Sequence, residues 1–427
     1  MNRHQRKKTI LIVTATGLAL GLALGILGWL LGWFGIPKLQ LSIGMPGSST
    51  GTSAEFRLQE TIAADLEERM LILLRSSSSN NLAAWYQPAG RLGKPAAIQA
   101  ADYLAADQLR YGQYLLEQGK RQAFINWWQD FCLSFLTRES TIAGSLAVRE
   151  SADYQTSDFW RNNLAALRLL AQSCVKWPDR QRQAELKNLS GVLLSMSAAG
   201  IPADFAAIVP TAAPTLNPAA TPTPKPQATP TPSAADEPSL DVLRLASLDL
   251  YTMQQLAQLD IAWQAHYEHY LPIVRDGYLG DRLPLYAFGY DENQQGYLPF
   301  TGDSPAADTG EALLTVLHLC EAGQEVTRSL SWIRDQLYNE KAIYTAYHIA
   351  QGSAASTEEC VPAYAIVARI ARIIDDPDLY AAAVGRLLWH QATSQRSEVL
   401  SLVFRQDQAG LIRVLAEDNT WALLAIR

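Results

Sequence analysis

Carboxylates that share helix faces with aromatic rings are the strongest chemical signal in this sequence. In "QAADYLAADQLRYGQYLLEQG", Asp107 has helical offsets of four or seven residues to three tyrosines, Tyr103, Tyr111 and Tyr114. Aromatic rings can stack on sugar faces, and an apolar wall raises the pKa of a neighbouring carboxyl group so that it holds a proton. The pattern is typical of a saccharide site, but it fits equally well a solvated Asp107 that pairs with Arg110.

Further acids stand near the predicted starts of other helices. Asp158 and Asp249 each precede a helical run, where capping of the helix N-terminus is the simpler role. Glu311 shares a helix face with Thr315 and His318, which indicates either a site or an ordinary polar stripe. In a ring of helical hairpins these helix starts can open onto one mouth, so we expect the acids to gather there.

The motifs of several other enzyme classes do not occur in the sequence. It contains no Walker loop, no G-x-S-x-G elbow and no H-E-x-x-H. His266 and His269 are three residues apart, but no further His or Cys lies nearby in sequence to complete a metal site. We therefore expect neither a cofactor nor a metal. The net charge of −7 and the scattered Lys and Arg residues argue against a nucleic-acid partner.

The cysteines and the N-terminus bear on the compartment. The four cysteines permit two disulfides, yet each lies in an apolar helical pattern, which favours buried thiols. A basic tip precedes residues 9–37, which carry no charge and exceed the roughly 20 residues that a helix needs to cross a bilayer. A cleaved signal peptide is the alternative. We predict an anchor over residues 1–37, with the N-terminus in the cytoplasm and the main domain outside the cell membrane.

Residues 209–238, rich in proline and threonine, interrupt the helical pattern. This composition cannot hold a packed core, so two separate domains are one interpretation. A 3.6-residue apolar period predicts twelve helices, at about 54–76, 99–118, 120–138, 156–176, 178–200, 247–258, 260–275, 305–322, 325–339, 359–375, 377–393 and 418–426. Six helical hairpins close a ring. We therefore predict an all-α (α/α)6 toroid over residues 54–427, with residues 209–238 as an inserted disordered loop.

The connection "GYLGDRLPLYAFGYDENQQGYLPF", residues 277–300, is unusually aromatic for a loop. Its rings are Tyr278, Tyr286, Phe288, Tyr290, Tyr297 and Phe300. They could form sugar-binding platforms over the mouth of the ring, or they could seal the loop against the barrel. We expect a mixture of the two roles, in which Tyr290 and Tyr297 stay exposed. We also predict short strands in this connection and in residues 83–90.

The order and spacing of several segments resemble glycoside hydrolase family 8, the cellulase and chitosanase family of (α/α)6 barrels. "AADQLRYGQYLLEQGKRQAFINWW" resembles the family's Ser-Glu-Gly-x-x-Tyr-Gly helix, and "QTSDFWRNNLAALRLL" resembles its Ala-Ser-Asp-Ala-Asp helix. "GEALLTVLHLCEAG", "AYAIVARIARIIDDPDLY" and "EDNTWALLAI" resemble a divergent branch found with bacterial exopolysaccharide genes.

The resemblance implies an inverting hydrolase, in which one carboxyl group acts as acid and another as base. It places Asp107 at the acid, Asp249 at the base and Asp158 at a sugar-binding position. Asp107 is one methylene shorter than the family's Glu, which weakens proton delivery. Trp160 replaces the second Asp of the second motif. The predicted sugar contacts are Asp158, Tyr111, Glu311, Tyr290, Tyr297 and Trp160.

We therefore expect a membrane-anchored glycoside hydrolase-like protein that acts on a β-linked polysaccharide in exopolysaccharide synthesis or remodelling. The alternative is a catalytically inactive relative that binds the polymer or scaffolds components of its synthase. A third interpretation is a helical envelope protein without a glycan ligand.

Overall fold

The structure is a computed structural model in which residues 60–77, 79–88, 98–99, 102–138, 140–143, 145–147, 158–198, 242–300, 305–406 and 410–426 are described. The predicted anchor, residues 1–37, and the Pro/Thr-rich segment, residues 209–238, lie outside these ranges. Among the helices that are described, none combines the length and the apolar character that crossing a membrane requires.

Each of the twelve predicted helices is present. Their bounds are α1 Glu60–Leu74, α2 Ala105–Glu117, α3 Arg121–Phe135, α4 Phe159–Lys176, α5 Arg180–Ala198, α6 Leu250–Leu256, α7 Ala262–Asp276, α8 Thr309–Glu321, α9 Thr327–Asp335, α10 Val361–Ile373, α11 Pro377–Trp389 and α12 Ala416–Ile426. A 3₁₀ turn, Leu245–Ser247, precedes α6, and a π turn, Gln336–Glu340, extends α9.

The even-numbered helices form a closed inner ring. Each contacts the next in the order α2, α4, α6, α8, α10 and α12, and α12 returns to α2. The outer helices α3, α5, α7 and α11 pack against the inner helix that precedes them, and α1 packs against α12. Helices from both sides of residues 209–238 therefore belong to the same ring. The all-α toroidal fold is confirmed, and the domain bounds remain a prediction.

Short strands join the loops at one end of the ring. They are β1 Trp85–Gln87, β2 Ile98–Gln99, β3 Asp102–Leu104, β4 Ser145–Ala147, β5 Val242–Arg244, β6 Gly289–Asp291, β7 Gly296–Leu298, β8 Ala306–Asp308, β9 Ala346–His348, β10 Arg405–Gln406 and β11 Ile412–Leu415. All pairings are antiparallel, in the orders β10-β11-β1-β2, β3-β4, β5-β6-β7 and β8-β9. Strands β3, β8 and β11 lead directly into α2, α8 and α12, so the N-terminal ends of the inner helices define this end, which we call the mouth.

A buried amide side chain ties three of the inner helices to the preceding loop. Asn163, in the first turns of α4, accepts a hydrogen bond from the Ile142 N–H (2.8 Å) and donates to the carbonyls of Ile142 (3.3 Å) and Phe159 (2.8 Å). The same three-bond pattern joins Gln108 on α2 to Leu82 and Leu104, and Asn419 on α12 to Val403 and Leu415. These amides satisfy backbone groups that burial would otherwise leave without partners.

The turns before these loop residues share a backbone conformation. The residue two positions earlier has a left-handed φ in each case, at Asn80 (59°), Ser140 (60°) and Ser401 (69°). A fourth turn repeats the geometry at Lys341 (63°), and the Ile343 N–H that follows donates to the hydroxyl of Tyr364 on α10. The ring is therefore a structural repeat, although no fixed sequence period reveals it.

We expect Asn163→Ala to lower the free energy of unfolding by about 2–3 kcal/mol, because the Ile142 N–H and C=O would be left buried without partners. Chemical denaturation would measure this loss. Asn126 on α3 is exposed and bonds only to Gln122 among the described contacts, so Asn126→Ala is the matched control and should change stability by less than about 0.5 kcal/mol. Equal effects of the two substitutions would contradict the proposed role of the amide.

Candidate functional site

A narrow cavity of about 110 Å³ follows the axis of the ring from the mouth. All six inner helices, or the turns that begin them, contribute to its lining. Its charged members include Arg110, Arg161, Arg168, Asp249, Glu321 and Arg369. The cavity is smaller than the roughly 300–1,000 Å³ of ordinary ligand pockets, so it is too small to enclose an extended ligand within the axis.

Two arginines and two carboxylates form a network at the mouth. Arg244 donates to Asp158 (2.5 Å) and lies 2.7 Å from Glu311. Arg161 donates to Glu311 (2.5 Å) and lies 3.6 Å from Asp158. Burial alone would raise the pKa of Glu311, but the charges of the two arginines outweigh it and lower that pKa to about 2. The predicted sugar contacts Asp158 and Glu311 therefore lie together, both ion-paired.

Asp249 lies deeper along the axis, at a second charge cluster. It caps α6 by accepting hydrogen bonds from the N–H (2.9 Å) and hydroxyl (2.6 Å) of Thr252. Arg168 donates to the same carboxylate oxygen as the Thr252 hydroxyl (3.1 Å) and also pairs with Glu321 (2.7 Å). Burial would raise the pKa of Asp249, but Arg168 and these hydrogen bonds lower it. The predicted base is thus ionised, and the capping role that we weighed against catalysis is present.

The same cluster has the geometry of a metal site but already contains a cation. Ligand atoms of Asp249, His318 and Glu321 lie within 4.8 Å of one another. Arg168 pairs with both carboxylates, so a metal ion would have to displace a guanidinium group. Burial lowers the pKa of His318, which keeps its ring neutral at neutral pH. We assign no metal to this cluster.

Asp107, the predicted acid, does not line the cavity, whereas its neighbours Ala106 and Arg110 do. Asp107 is 1% exposed, and one of its carboxylate oxygens accepts a hydrogen bond from Arg110. Its other oxygen has no hydrogen-bond partner among the described residues. Burial raises the pKa of Asp107 to about 7, although the positive charge of Arg110 opposes the shift. The group can hold a proton, but in this structure it does not reach the axis.

Two of the predicted sugar contacts, Tyr111 and Trp160, face the outer layer in this structure. Tyr111 is buried and donates to Glu67 on α1 (3.0 Å), as Tyr114 does. The helix face that Asp107 shares with these tyrosines therefore points away from the cavity. Trp160 is 0% exposed, and its ring centroid lies 6.4 Å from that of Trp263 on α7. Neither ring lines the axial cavity.

The aromatic connection mostly seals its own loop. Tyr290 and Tyr297 form a cross-strand pair with centroids 4.9 Å apart, and Tyr297 donates to the Ile273 carbonyl (2.8 Å). Both are half-buried, so the exposure we predicted for them is present only in part, and their sugar contacts remain a prediction. The expected short hairpin is present as β6–β7. Phe288 lies 5.2 Å from the Arg244 guanidinium and so supports the mouth network.

Sequence reasoning missed the arginines and one tryptophan. Arg161 and Arg168 are seven residues apart on α4, a spacing that places both on one face and could have revealed the axis. Trp389, at the C-terminal end of α11, is 80% exposed and lies 5.1 Å from the Arg386 guanidinium. Because α11 runs antiparallel to α10, Trp389 lies at the mouth end, and Glu359 before α10 accepts hydrogen bonds from Arg386. An exposed ring held this way suits stacking on a ligand.

The four cysteines are free thiols in this structure, as the apolar patterns around them favoured. Burial raises the pKa of Cys320 and of Cys360 to about 12, so neither is a reactive thiolate at neutral pH.

The closed double ring of helices defines an (α/α)6 toroid with charged side chains at its mouth. Among solved structures, an α-amylase from Clostridium perfringens matches with a TM-score of 0.65 and 19% identity, over 88% of this chain and 98% of that one. PssZ from Listeria monocytogenes matches with a TM-score of 0.54 and 12% identity, over 91% and 97%. A cold-adapted family 8 xylanase matches with a TM-score of 0.51 and 10% identity, over 92% and 96%.

The chain therefore has a glycoside hydrolase family 8-like (α/α)6 fold, as the resemblance implied. No protein-family profile matches the sequence, and no curated protein matches it. At these identities the likeness extends to the fold, whereas the roles of the individual site residues rest on the geometry above.

The raised pKa of Asp107 predicts a pH-dependent stability that Asp107→Asn removes. A folded-state pKa of about 7 against an ordinary 3.8 means that protonation favours the folded state. Between pH 8 and pH 4 the unfolding free energy of the wild type should therefore rise relative to Asp107→Asn, by up to about 4 kcal/mol. Denaturant titrations across this range would measure the difference. Two curves that stay parallel would show that Asp107 titrates like a solvated carboxylate.

Proposed function

We propose that this protein binds a β-linked polysaccharide across the mouth of its ring without hydrolysing it. The observation that carries the proposal is the pairing of both predicted catalytic carboxylates with arginines, Asp107 with Arg110 and Asp249 with Arg168. A general acid must reach the leaving-group oxygen, and Asp107 is buried behind the cavity lining. Asp249 is committed to capping α6, which leaves it poorly placed to activate a water.

The mouth offers what a neutral sugar polymer would bind. Asp158 and Glu311 are partly exposed acceptors, whereas Arg161 and Arg244 are donors, and sugar hydroxyl groups both donate and accept. Because the two charges of each sign balance, the network does not demand a charged ligand. The family 8-like fold supports a polysaccharide as the ligand class.

Hydrolysis is the second candidate, and one observation favours it. The protein shifts the pKa of Asp107 upwards and that of Asp249 downwards, which is the division of labour that an acid and a base require. In an inverting mechanism Asp107 would protonate the glycosidic oxygen, while Asp249 would take a proton from the attacking water. This requires Asp107 to leave Arg110 and turn into the axis when substrate binds.

We also propose the cellular setting that the sequence predicts. Residues 1–37 would anchor the protein in the cell membrane, with the ring outside the cytoplasm, where it would meet an exopolysaccharide and components of its synthase. Fractionation of cells, followed by protease treatment of intact spheroplasts, tests this placement. Recovery of the protein in the soluble cytoplasmic fraction would contradict it.

Binding without turnover is tested with the purified full-length protein against β-glucan, chitosan, xylan and starch. We expect retardation in affinity gels that contain at least one β-linked polymer, and no release of reducing ends above the blank. The charge pairs that hold Asp107 and Asp249 are the reason for expecting no turnover. Reducing ends that Asp107→Asn abolishes, in a protein that remains folded, would instead establish the hydrolase. A lack of binding to all four polymers would leave the envelope-protein interpretation.

We expect Trp389→Ala to weaken polymer binding about fivefold, the loss of one aromatic contact worth about 1 kcal/mol. Ile261→Ala is the matched control, because Ile261 is 77% exposed but precedes α7 at the end of the ring opposite the mouth. Affinity electrophoresis with the polymer that binds best would compare them. If the two substitutions weaken binding equally, Trp389 does not contact the polymer.

A further inference from the structure

A second and larger cleft opens outside the inner ring, beside the aromatic connection. Its volume is about 570 Å³, within the range of ordinary ligand pockets and well above that of the axial cavity. It lies where the loop after α7 meets the turn between α8 and α9. Its lining includes Tyr278, Tyr286, Gln324, Glu325, Thr327 and Arg328.

Two tyrosines form a rigid aromatic wall in this cleft. Tyr278 and Tyr286 face each other across an isolated antiparallel bridge, with ring centroids 6.0 Å apart at 67°. Tyr286 is 5% exposed and so fixed by the core, whereas Tyr278 is half-buried and donates to Asp281 (3.1 Å). The side chain of Tyr278 can therefore contact a ligand, while the buried side chain of Tyr286 holds Tyr278 in place.

Both arginines that line the cleft are ion-paired. Arg328 pairs with Asp281, and Arg275 lies 3.2 Å from Asp276. The other polar groups of the lining are the Gln324 amide, whose nitrogen donates to the Tyr267 hydroxyl (3.4 Å) and the Ala322 carbonyl (3.2 Å), and the Glu325 carboxylate, which accepts from the Thr327 hydroxyl (3.0 Å). With both arginines ion-paired and one carboxylate in the lining, the cleft favours a neutral ligand rich in hydroxyl groups over a phosphate.

We propose that this cleft is a second saccharide-binding site, which takes a short neutral stretch of the polymer that the mouth binds. The proposal rests on the proposed function, since it assumes a polysaccharide ligand. It explains why part of the aromatic connection, Tyr278 and Tyr286, lies away from the mouth. Two sites on one rigid ring would bind one chain together, so the affinity for a long polymer would exceed that for a short oligosaccharide.

Isothermal titration with cellopentaose, xylopentaose and maltopentaose tests the site in the full-length protein. We expect two binding events in the wild type with at least one of these sugars, and one event in Tyr278→Ala. Gln324→Leu is a second variant that removes polar contacts without touching the aromatic wall, and it should weaken the same event. Tyr338→Ala, at a 39% exposed tyrosine on the π turn after α9, is the matched control and should keep both events. Thermal melting confirms that each variant is folded.

The possible results separate the two proposals. A single event that Trp389→Ala weakens and Tyr278→Ala leaves unchanged would overturn the second site and leave the proposed function standing. A wild type that binds none of these sugars, and none of the polymers, would overturn both. For a long polymer, loss of the cleft should lower affinity at least tenfold, whereas an equal loss in Tyr338→Ala would show that the effect is not specific to the cleft.

Discussion

The constraint on which this structure depends is that the axis of the ring contains charges, and each must be neutralised there. Arg168 on α4 reaches Asp249 at the start of α6 and Glu321 on α8. At the far end of the axis, Arg369 on α10 pairs with Glu117 on α2 (3.1 Å). An uncompensated charge in such a place costs several kcal/mol, so neither partner can be lost alone. Since α4 with α8, and α2 with α10, are not neighbours in the ring, these pairs brace it across its axis.

The same pairing limits what the site can do. A hydrolytic site needs one carboxyl group that is protonated within reach of the substrate and another that is free to bind water. Here the ionised carboxylates are Glu311, held by Arg161 and Arg244, and Asp249, held by Arg168. Asp107, whose pKa is raised, is buried beside α12. Stability and catalysis thus make opposite demands on these carboxylates. Under the proposed function, the ion pairs stabilise the ring and the mouth binds the polymer.

The helices were predictable because each inner and outer helix buries an apolar stripe. The apolar residues of such a stripe recur in the sequence with a period of 3.6 residues. The predicted starts were too early at α2 and α8, where residues 102–104 and 306–308 pair as strands instead. Strand pairing depends on the partner loop, which sequence periodicity does not reveal. The repeated amides Gln108, Asn163 and Asn419 went unnoticed for a similar reason, because the distance in sequence to the loop residue they bind varies from 16 to 26.

The sequence alone predicted twelve helices, their closure into a ring and the gathering of acids at helix starts, since these predictions follow from local pattern and from counting. Only the tertiary structure decided which face of each helix meets the axis. On α2 the residues at 106, 109, 110 and 113 line the cavity, while Asp107 and Tyr111 face the other layers. Successive residues of a helix are rotated by 100°, so neighbouring residues such as 106 and 107 lie on different faces. Both faces carry polar groups, so amino-acid composition did not show which face meets the axis. That rotation is set by packing against α3, α4 and α12, and the contact with α12 exists only once the ring has closed.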